Sequence, residues 1–124
     1  MAKSVALAFI GDVMLGRGVN EEIPQRSAES FWGDVLPILR GVDAVIANLE
    51  CAITQNTQEC RRTPKVFHFR ADPAAVEVLR AANIQCVNLA NTAKRNKSIQ
   101  GTARNWKSLQ PNYGNYSGGL SGTG

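Results

Sequence analysis

The hydrophobic pattern of the chain changes once, near residue 91. Before that point there are three short apolar runs that do not alternate with polar residues, at 5–10, 43–48 and 84–89. Such runs are typical of strands buried on both faces of a parallel sheet. Beyond residue 91 neither a helical nor a strand period is present, and the chain ends in a stretch rich in Gly and Ser. We therefore expect a folded domain over residues 1–91 and a disordered, flexible tail over residues 92–124.

Two segments between the apolar runs have a helical pattern. The first, residues 30–40, places four apolar residues on one face and contains Pro37, which should kink or shorten the helix. Those four residues are Phe31, Val35, Ile38 and Leu39. The second segment begins with Asp72-Pro73, which predicts an N-cap followed by the first helical residue. Its expected buried stripe is Val76, Leu79 and Ala82.

The order of strand, helix, strand, helix and strand predicts the fold class. It indicates an α/β fold in which a parallel sheet is connected by right-handed crossover helices. Because at most 91 residues have the composition of a core, the sheet faces should remain partly uncovered.

The net charge of +4 is unevenly distributed. Residues 1–91 contain nine basic and ten acidic residues, whereas residues 92–124 contain five basic residues and no acidic one. The basic residues of the tail are scattered among small polar residues, whereas a specific nucleic-acid site needs them on a folded face. We expect no specific nucleic-acid partner, and weak nonspecific binding through the tail is one alternative function.

The three cysteines and the N-terminus exclude several classes of protein. An odd number of cysteines without a CxxC spacing argues against a disulfide framework and a zinc knuckle, and Cys86 in its apolar run should be buried. The sequence has no recognisable signal peptide and no apolar run long enough to span a bilayer. We therefore predict a cytoplasmic location.

Polar side chains follow each predicted strand. Asp12 follows the first, Asn48 and Glu50 end the second, and Asn91 follows the third. Ligands of parallel α/β sheets bind beyond the carboxyl ends of the strands, so these residues can converge on one edge. Their oxygen atoms suit Mg²⁺ or Mn²⁺, and a metal-activated water with imidazole help would cleave phosphoesters. The alternative is that Asp12 and Asn91 only cap turns and Glu50 is solvated.

Two other features of the sequence are weaker indications of a functional site. The spacing Gly11-x4-Gly16-Arg17-Gly18 resembles a phosphate loop, but a Walker loop requires Lys and then Ser or Thr where Arg17 and Gly18 stand. His68 is the only histidine, and a single imidazole cannot build a binuclear centre that uses several.

Four sequence motifs together resemble the CapA family of capsule-synthesis proteins, whose founding members serve poly-gamma-glutamate production. The resemblance covers roughly residues 5–91. Its motifs are Ala8-Phe9-Ile10-Gly11-Asp12-Val13-Met14-Leu15-Gly16-Arg17, Ala47-Asn48-Leu49-Glu50-Cys51-Ala52-Ile53-Thr54, Phe69-Arg70-Ala71 and Val87-Asn88-Leu89-Ala90-Asn91.

This resemblance implies a branch of the calcineurin-like metallophosphoesterases, with an α/β sandwich and two divalent metal ions, Mn²⁺ or Mg²⁺. It implies that Asp12 is the metal ligand of the first strand, and that Glu50, with Asn48 nearby, is the metal-site group of the second strand. Asn91 is similar to the first Asn of an Asn-Asn-His signature. Gly11 and Arg17 of the first motif would be supporting residues.

The chain departs from the family directly after Asn91. Thr92-Ala93 stands where the resemblance implies Asn-His, and the tail does not resemble the family. We therefore expect an N-terminal fragment, half of the sandwich, with no catalytic residue, little or no catalysis and at most weak binding of one ion. The alternative to an enzyme fragment is a non-enzymatic interaction module, with self-association through an exposed sheet edge.

Overall fold

The computed structural model describes residues 2–55 and 69–89. The strands of this part are β1 (Leu7–Val13), β2 (Ala44–Leu49), β3 (Ala52–Ile53), β4 (Arg70–Ala71) and β5 (Ile84–Asn88). The helices are α1 (Gly18–Glu22), α2 (Leu36–Arg40) and α3 (Ala75–Ala81), and three short 3-10 turns lie at Ile23–Gln25, Ala28–Phe31 and Gly33–Val35.

The main sheet is parallel, with β2 between β1 and β5. β3 and β4 form a separate parallel pair, which the sequence did not predict. The predicted α/β class with a parallel sheet is confirmed. The predicted tail over residues 92–124 lies outside the described residues, so the division of the chain at residue 91 stays a prediction.

β1 continues past its predicted end and contains a β-bulge. Phe9 pairs with Ile46 and Asp12 pairs with Asn48, so β1 has one residue more than β2 over the same interval. A bulge of this kind shifts the alternation of side chains along one strand. Asp12 therefore lies at a register position beside Asn48, and this is the position from which it can contribute to a site.

One face of the sheet packs against the helices. Val45, Ala47 and Leu49 of β2 are buried there together with Val76 and Leu79 of α3, as α/β layering requires. The indole Nε1 of Trp32 donates a hydrogen bond of 2.7 Å to the carbonyl oxygen of Val78, which ties the 3-10 turns to α3. The predicted stripe of α3 is confirmed, since Val76, Leu79 and Ala82 are buried.

The other face of the sheet is open. Leu7 and Phe9 of β1 are 51% and 76% exposed, and Cys86 of β5, which pairs with Ile46, is also exposed. The expectation that β1 is buried on both faces was therefore wrong, and so was the expectation that Cys86 is buried. The physical reason is that the helices of the described part pack on the opposite face. The expectation of a partly uncovered sheet agrees with this arrangement.

The segment 30–40 is not one helix. It consists of two 3-10 turns followed by α2, which has Pro37 within its first two positions. Proline has no N–H and clashes with the preceding turn, so an α-helix can begin here but not pass through. The predicted apolar face is lost as a result: Leu39 is 3% exposed, whereas Ile38 is 67% exposed.

The start of α3 differs from the prediction as well. Its N-cap is Ala74, and the side chain of Asp72 does not cap the helix. The Asp72 carboxylate instead accepts hydrogen bonds from Asn20 and Arg70. The backbone carbonyl of Asp72 accepts from the N–H of Ala75 at 2.9 Å, so Asp72 still belongs to the turn that leads into the helix.

Gly16 allows a close approach between the loop after β1 and the backbone of β4. A Cβ atom added to Gly16 would lie 2.8 Å from the carbonyl oxygen of Arg70 and 3.2 Å from its nitrogen. We expect Gly16→Ala to lower the free energy of unfolding by about 1–3 kcal/mol, because backbone atoms must move to make room. Gly18→Ala is the matched control, since its Cβ would meet nothing within 4 Å. Urea unfolding of both variants checks this expectation, and equal losses would contradict it.

Candidate metal site

The ends of the three parallel strands bring polar side chains to one place. Asp12 pairs with Asn48 across β1 and β2, and Asn48 pairs with Asn88 across β2 and β5. Paired residues of neighbouring strands lie on the same face of a sheet, so the three side chains form a row. Glu50 follows β2 directly, and its N–H donates to the carbonyl oxygen of Val13 at 2.9 Å.

The amide group of Asn48 connects this row. Its Nδ2 donates to Oδ1 of Asp12 at 2.7 Å and to Oε1 of Glu50 at 2.6 Å. Its Oδ1 accepts from Nδ2 of Asn88 at 3.0 Å. We call these four residues, Asp12, Asn48, Glu50 and Asn88, the rim. Asn48 therefore holds two carboxylates close together, and Asn88 fixes the orientation of its amide.

The electrostatics of the rim favour a cation. Two carboxylates that share one neutral donor repel each other, and a nearby positive charge relieves that repulsion. Carboxylate and amide oxygens are hard donors, which suit Mg²⁺ and Mn²⁺ rather than soft metals. The residues therefore fit a hard divalent ion in donor type. Within residues 2–55 and 69–89, however, no group of three or more His, Cys, Asp or Glu side chains could hold a metal ion.

Cys51 follows Glu50 but is not suited to bind a hard ion. Burial raises the pKa of its thiol, the hydrogen bond with the Leu15 backbone lowers it, and the negative charge of Glu50 raises it further. The net result is a raised pKa and a neutral thiol at physiological pH.

The structure brings together three of the predicted site residues, Asp12, Asn48 and Glu50. Asp12 does not cap a turn, because it lies in β1 and accepts from Asn48, and Glu50 is half-buried rather than fully solvated. Asn91 and His68 lie outside the described residues. The role of Asp12, Glu50 and Asn91 as metal ligands stays a prediction.

The supporting role predicted for Gly11 and Arg17 stays a prediction, and one rim residue was not predicted. Gly11 lies in the bulge of β1, and Arg17 lies in the loop after β1 with a positive φ of 56°. Asn88 was recognised only as part of a motif. The signal that could have found it is its position, since it lies near the end of the third apolar run as Asn48 lies at the end of the second.

A second polar cluster connects α1, which follows the loop after β1, to β4 and to the turn before α3. Nδ2 of Asn20 donates to Oδ2 of Asp72 at 3.0 Å, Oδ1 of Asn20 accepts from the N–H of Asp72 at 2.6 Å, and Nη2 of Arg70 donates to Oδ1 of Asp72. We call these three residues the Asn20 network. The hydrogen bond from Asn20 is the main cause that lowers the pKa of Asp72, the hydrogen bond and charge of Arg70 lower it further, and partial burial opposes them.

The lowered pKa of Asp72 makes a contribution to stability that depends on pH. The carboxylate is stabilised in the folded state, so its contribution is present above the unfolded pKa of about 4 and is lost as pH falls through the lower, folded pKa. We expect Asp72→Asn to cost about 0.2–1 kcal/mol of unfolding free energy at pH 7, because the group is partly exposed. The difference from the wild type should shrink below about pH 4.

Urea unfolding between pH 7 and pH 2 measures this difference. Asp34→Asn, which removes an exposed carboxylate elsewhere, controls for the change in net charge. A difference between the wild type and Asp72→Asn that stays constant over the whole pH range would contradict the assignment.

Comparison with known proteins gives consistent matches. The profile of the family described as bacterial capsule synthesis protein PGA_cap matches residues 6–119. The PGA biosynthesis protein CapA of Bacillus subtilis (strain 168) is 31% identical over 97 residues, which are 78% of this chain and 25% of that protein. The capsule biosynthesis protein CapA of Bacillus anthracis is 25% identical over 101 residues, 81% of this chain and 25% of that protein.

These matches differ in extent from the sequence-based resemblance. The profile match extends beyond residue 91, where we took the resemblance to end. The chain spans about a quarter of the length of the two curated relatives.

Proposed function

Because the chain belongs to the PGA_cap family of bacterial capsule synthesis proteins, we propose that it takes part in capsule or poly-gamma-glutamate biosynthesis and that the rim is part of a metal site. One observation supports the metal site most directly: two carboxylates share the amide donor of Asn48 at the carboxyl ends of parallel strands. This is the edge at which α/β sheets bind ligands.

Membership of this metallophosphoesterase-like family fits a dependence on metal ions in general. We propose that Asp12 and Glu50 supply the charged ligands of one Mn²⁺ or Mg²⁺ ion, and that Asn91 contributes a further oxygen. When bound, such an ion polarises a phosphoryl oxygen and lowers the pKa of a bound water. In the protein, Asn48 keeps the two carboxylates at a short separation, and Asn88 holds the Asn48 amide in place.

We propose further that this chain has little or no hydrolase activity. The chain has a single histidine, His68, and one imidazole cannot build a binuclear centre that uses several. Thr92-Ala93 replaces the Asn-His that the family resemblance implies. Groups that act jointly in catalysis lose most of the rate when one is missing.

None of the helices in the described ranges has the length and apolar character needed to cross a membrane. The cytoplasm remains a prediction from the sequence. A weak nucleic-acid contact through residues 92–124 also remains a prediction, because that segment is outside the described residues.

Mn²⁺ titration followed by electron paramagnetic resonance tests the metal site. We expect weak binding to the wild-type chain and an affinity about tenfold lower in Asp12→Asn, because affinity for hard cations depends on the number of charged ligands. Asp34→Asn, an exposed carboxylate in a 3-10 turn, should bind like the wild type. Equal affinities in all three proteins would show that the rim does not bind the ion.

The same preparations with Mn²⁺ test the absence of hydrolysis. We expect no turnover of phosphomonoesters or phosphodiesters above the background. Robust turnover by the wild type that disappears in Asp12→Ala would contradict the proposed inactivity while supporting the metal site.

A second candidate function is a non-enzymatic interaction module that binds a second copy of this chain. The observation that favours it is that β1 is an outer strand among the strands that the structure describes. Phe9 on this strand is 76% exposed, and Val5 just before it is 69% exposed. Outer strands with apolar side chains promote pairing between chains.

Analytical ultracentrifugation tests this second candidate. We expect the wild type to associate with rising concentration and Phe9→Ser to associate less, because it removes the most exposed apolar side chain of β1. Cys86→Ser, on the other outer strand, controls for oxidation. A wild type that stays monomeric at every concentration would contradict the interaction module.

A further inference from the structure

The Asn20 network joins three parts of the chain that are distant in sequence. Asn20 lies in α1, Arg70 lies in β4, and Asp72 lies in the turn before α3. Asn20 makes a two-point contact with residue 72, one bond to its carboxylate and one from its backbone N–H. All these bonds are partly buried, so water competes with them less than it does with hydrogen bonds at the surface.

This network holds the loop after β1 in a strained conformation. Arg17 has φ 56° and ψ −136°, which is a region that glycine adopts easily and other residues rarely do. Such a conformation is energetically unfavourable and persists only where the surrounding structure holds it. Here Gly16 rests on the backbone of Arg70 on one side, and Asn20 is bonded to Asp72 on the other.

Residues 69–71 also support the segment that follows Glu50. β3 begins two residues after Glu50, and Ala52 pairs with Arg70. The N–H of Ala52 donates to the carbonyl oxygen of Phe69 at 2.9 Å. The chain after Asp12 and the chain after Glu50 therefore both rest on residues 69–71.

The rim depends on this support because a β-bulge lies directly before Asp12. The bulge between Phe9 and Asp12 interrupts the ladder with β2. After the bulge, the end of β1 is held by the pairing of Asp12 with Asn48 and of Val13 with Leu49, by the bond from Glu50 to Val13, and by the loop.

We propose that the Asn20 network is a positioning device for the rim, in which Asn20 and Arg70 set the separation of Asp12 and Glu50 through the loop and β3. Neither residue belongs to the rim itself. This inference rests on the proposed metal site for its functional meaning, but its structural part can be tested without metal. The Nε atom of Arg70 is buried and has no hydrogen-bond partner in the described part of the chain. The guanidinium joins the network through the bond from its Nη2 to Asp72.

The test compares Asn20→Ala with Trp32→Phe in the full chain. Asn20→Ala removes both bonds to residue 72. Trp32→Phe removes one bond to Val78 on the covered face, away from the rim, and serves as the control for a general loss of stability. The first readout is hydrogen exchange of the Glu50 amide, which is bonded to Val13. The second readout is Mn²⁺ affinity at a temperature at which both variants are folded.

We expect Asn20→Ala to speed exchange of the Glu50 amide about tenfold and to weaken Mn²⁺ binding about tenfold, the size of effect that outer supports of metal ligands produce. Trp32→Phe should change neither beyond its loss of stability. If both variants change exchange and affinity equally, the network is only structural and the proposal is overturned. If the wild type binds no Mn²⁺, the proposed metal site fails, while the exchange readout still decides the positioning role.

Arg70→Lys and Arg70→Met keep the test decisive if Asn20→Ala does not fold. Lysine retains the charge and one bond to Asp72, whereas methionine retains only the volume. We expect Arg70→Lys to keep most of the protection of the Glu50 amide and of the Mn²⁺ affinity, and Arg70→Met to lose both. Equal behaviour of the two variants would overturn the proposal.

Discussion

The rest of this structure depends on one interaction, in which two carboxylates accept hydrogen bonds from the same amide group. Asp12 and Glu50 come from different strands and repel each other, and the Nδ2 of Asn48 is the donor to both. The arrangement requires the parallel pairing of β1 with β2, because only that pairing brings a strand end with a carboxylate beside a strand end with an amide. It also requires the bulge in β1, since without the extra residue a different side chain would pair with Asn48.

The two faces of the sheet differ in a way that follows from how the helices pack. α3 and the turn carrying Trp32 lie on one face, where β2 contributes Val45, Ala47 and Leu49 to the core. On the other face apolar side chains such as Phe9 remain exposed. The rim lies at the polar end of this open face, because Asp12 and Phe9 share a face of β1. The site and the exposed apolar surface therefore belong to one continuous side of the sheet.

The small sheet of β3 and β4 supports the rim from behind. Gly16 approaches the backbone of Arg70 so closely that no side chain fits between them, and the strained backbone of Arg17 follows at once. Backbone strain of this kind is retained where neighbouring contacts outweigh its cost. Asn20 and Asp72 provide such contacts across a gap of more than fifty residues in sequence.

The sequence alone determined the fold class, three strands of the sheet, the buried stripe of α3 and three of the four rim residues. It did so because unbroken apolar runs and the polar residues that end them are local signals, and because parallel strands place their carboxyl ends together. Tertiary structure alone decided the rest. Asp72 bonded to Asn20 instead of capping α3, and Asn88 joined the rim through its pairing with Asn48. Both outcomes depend on a partner far away in the chain, and no local pattern of hydrophobic and polar residues contains that information.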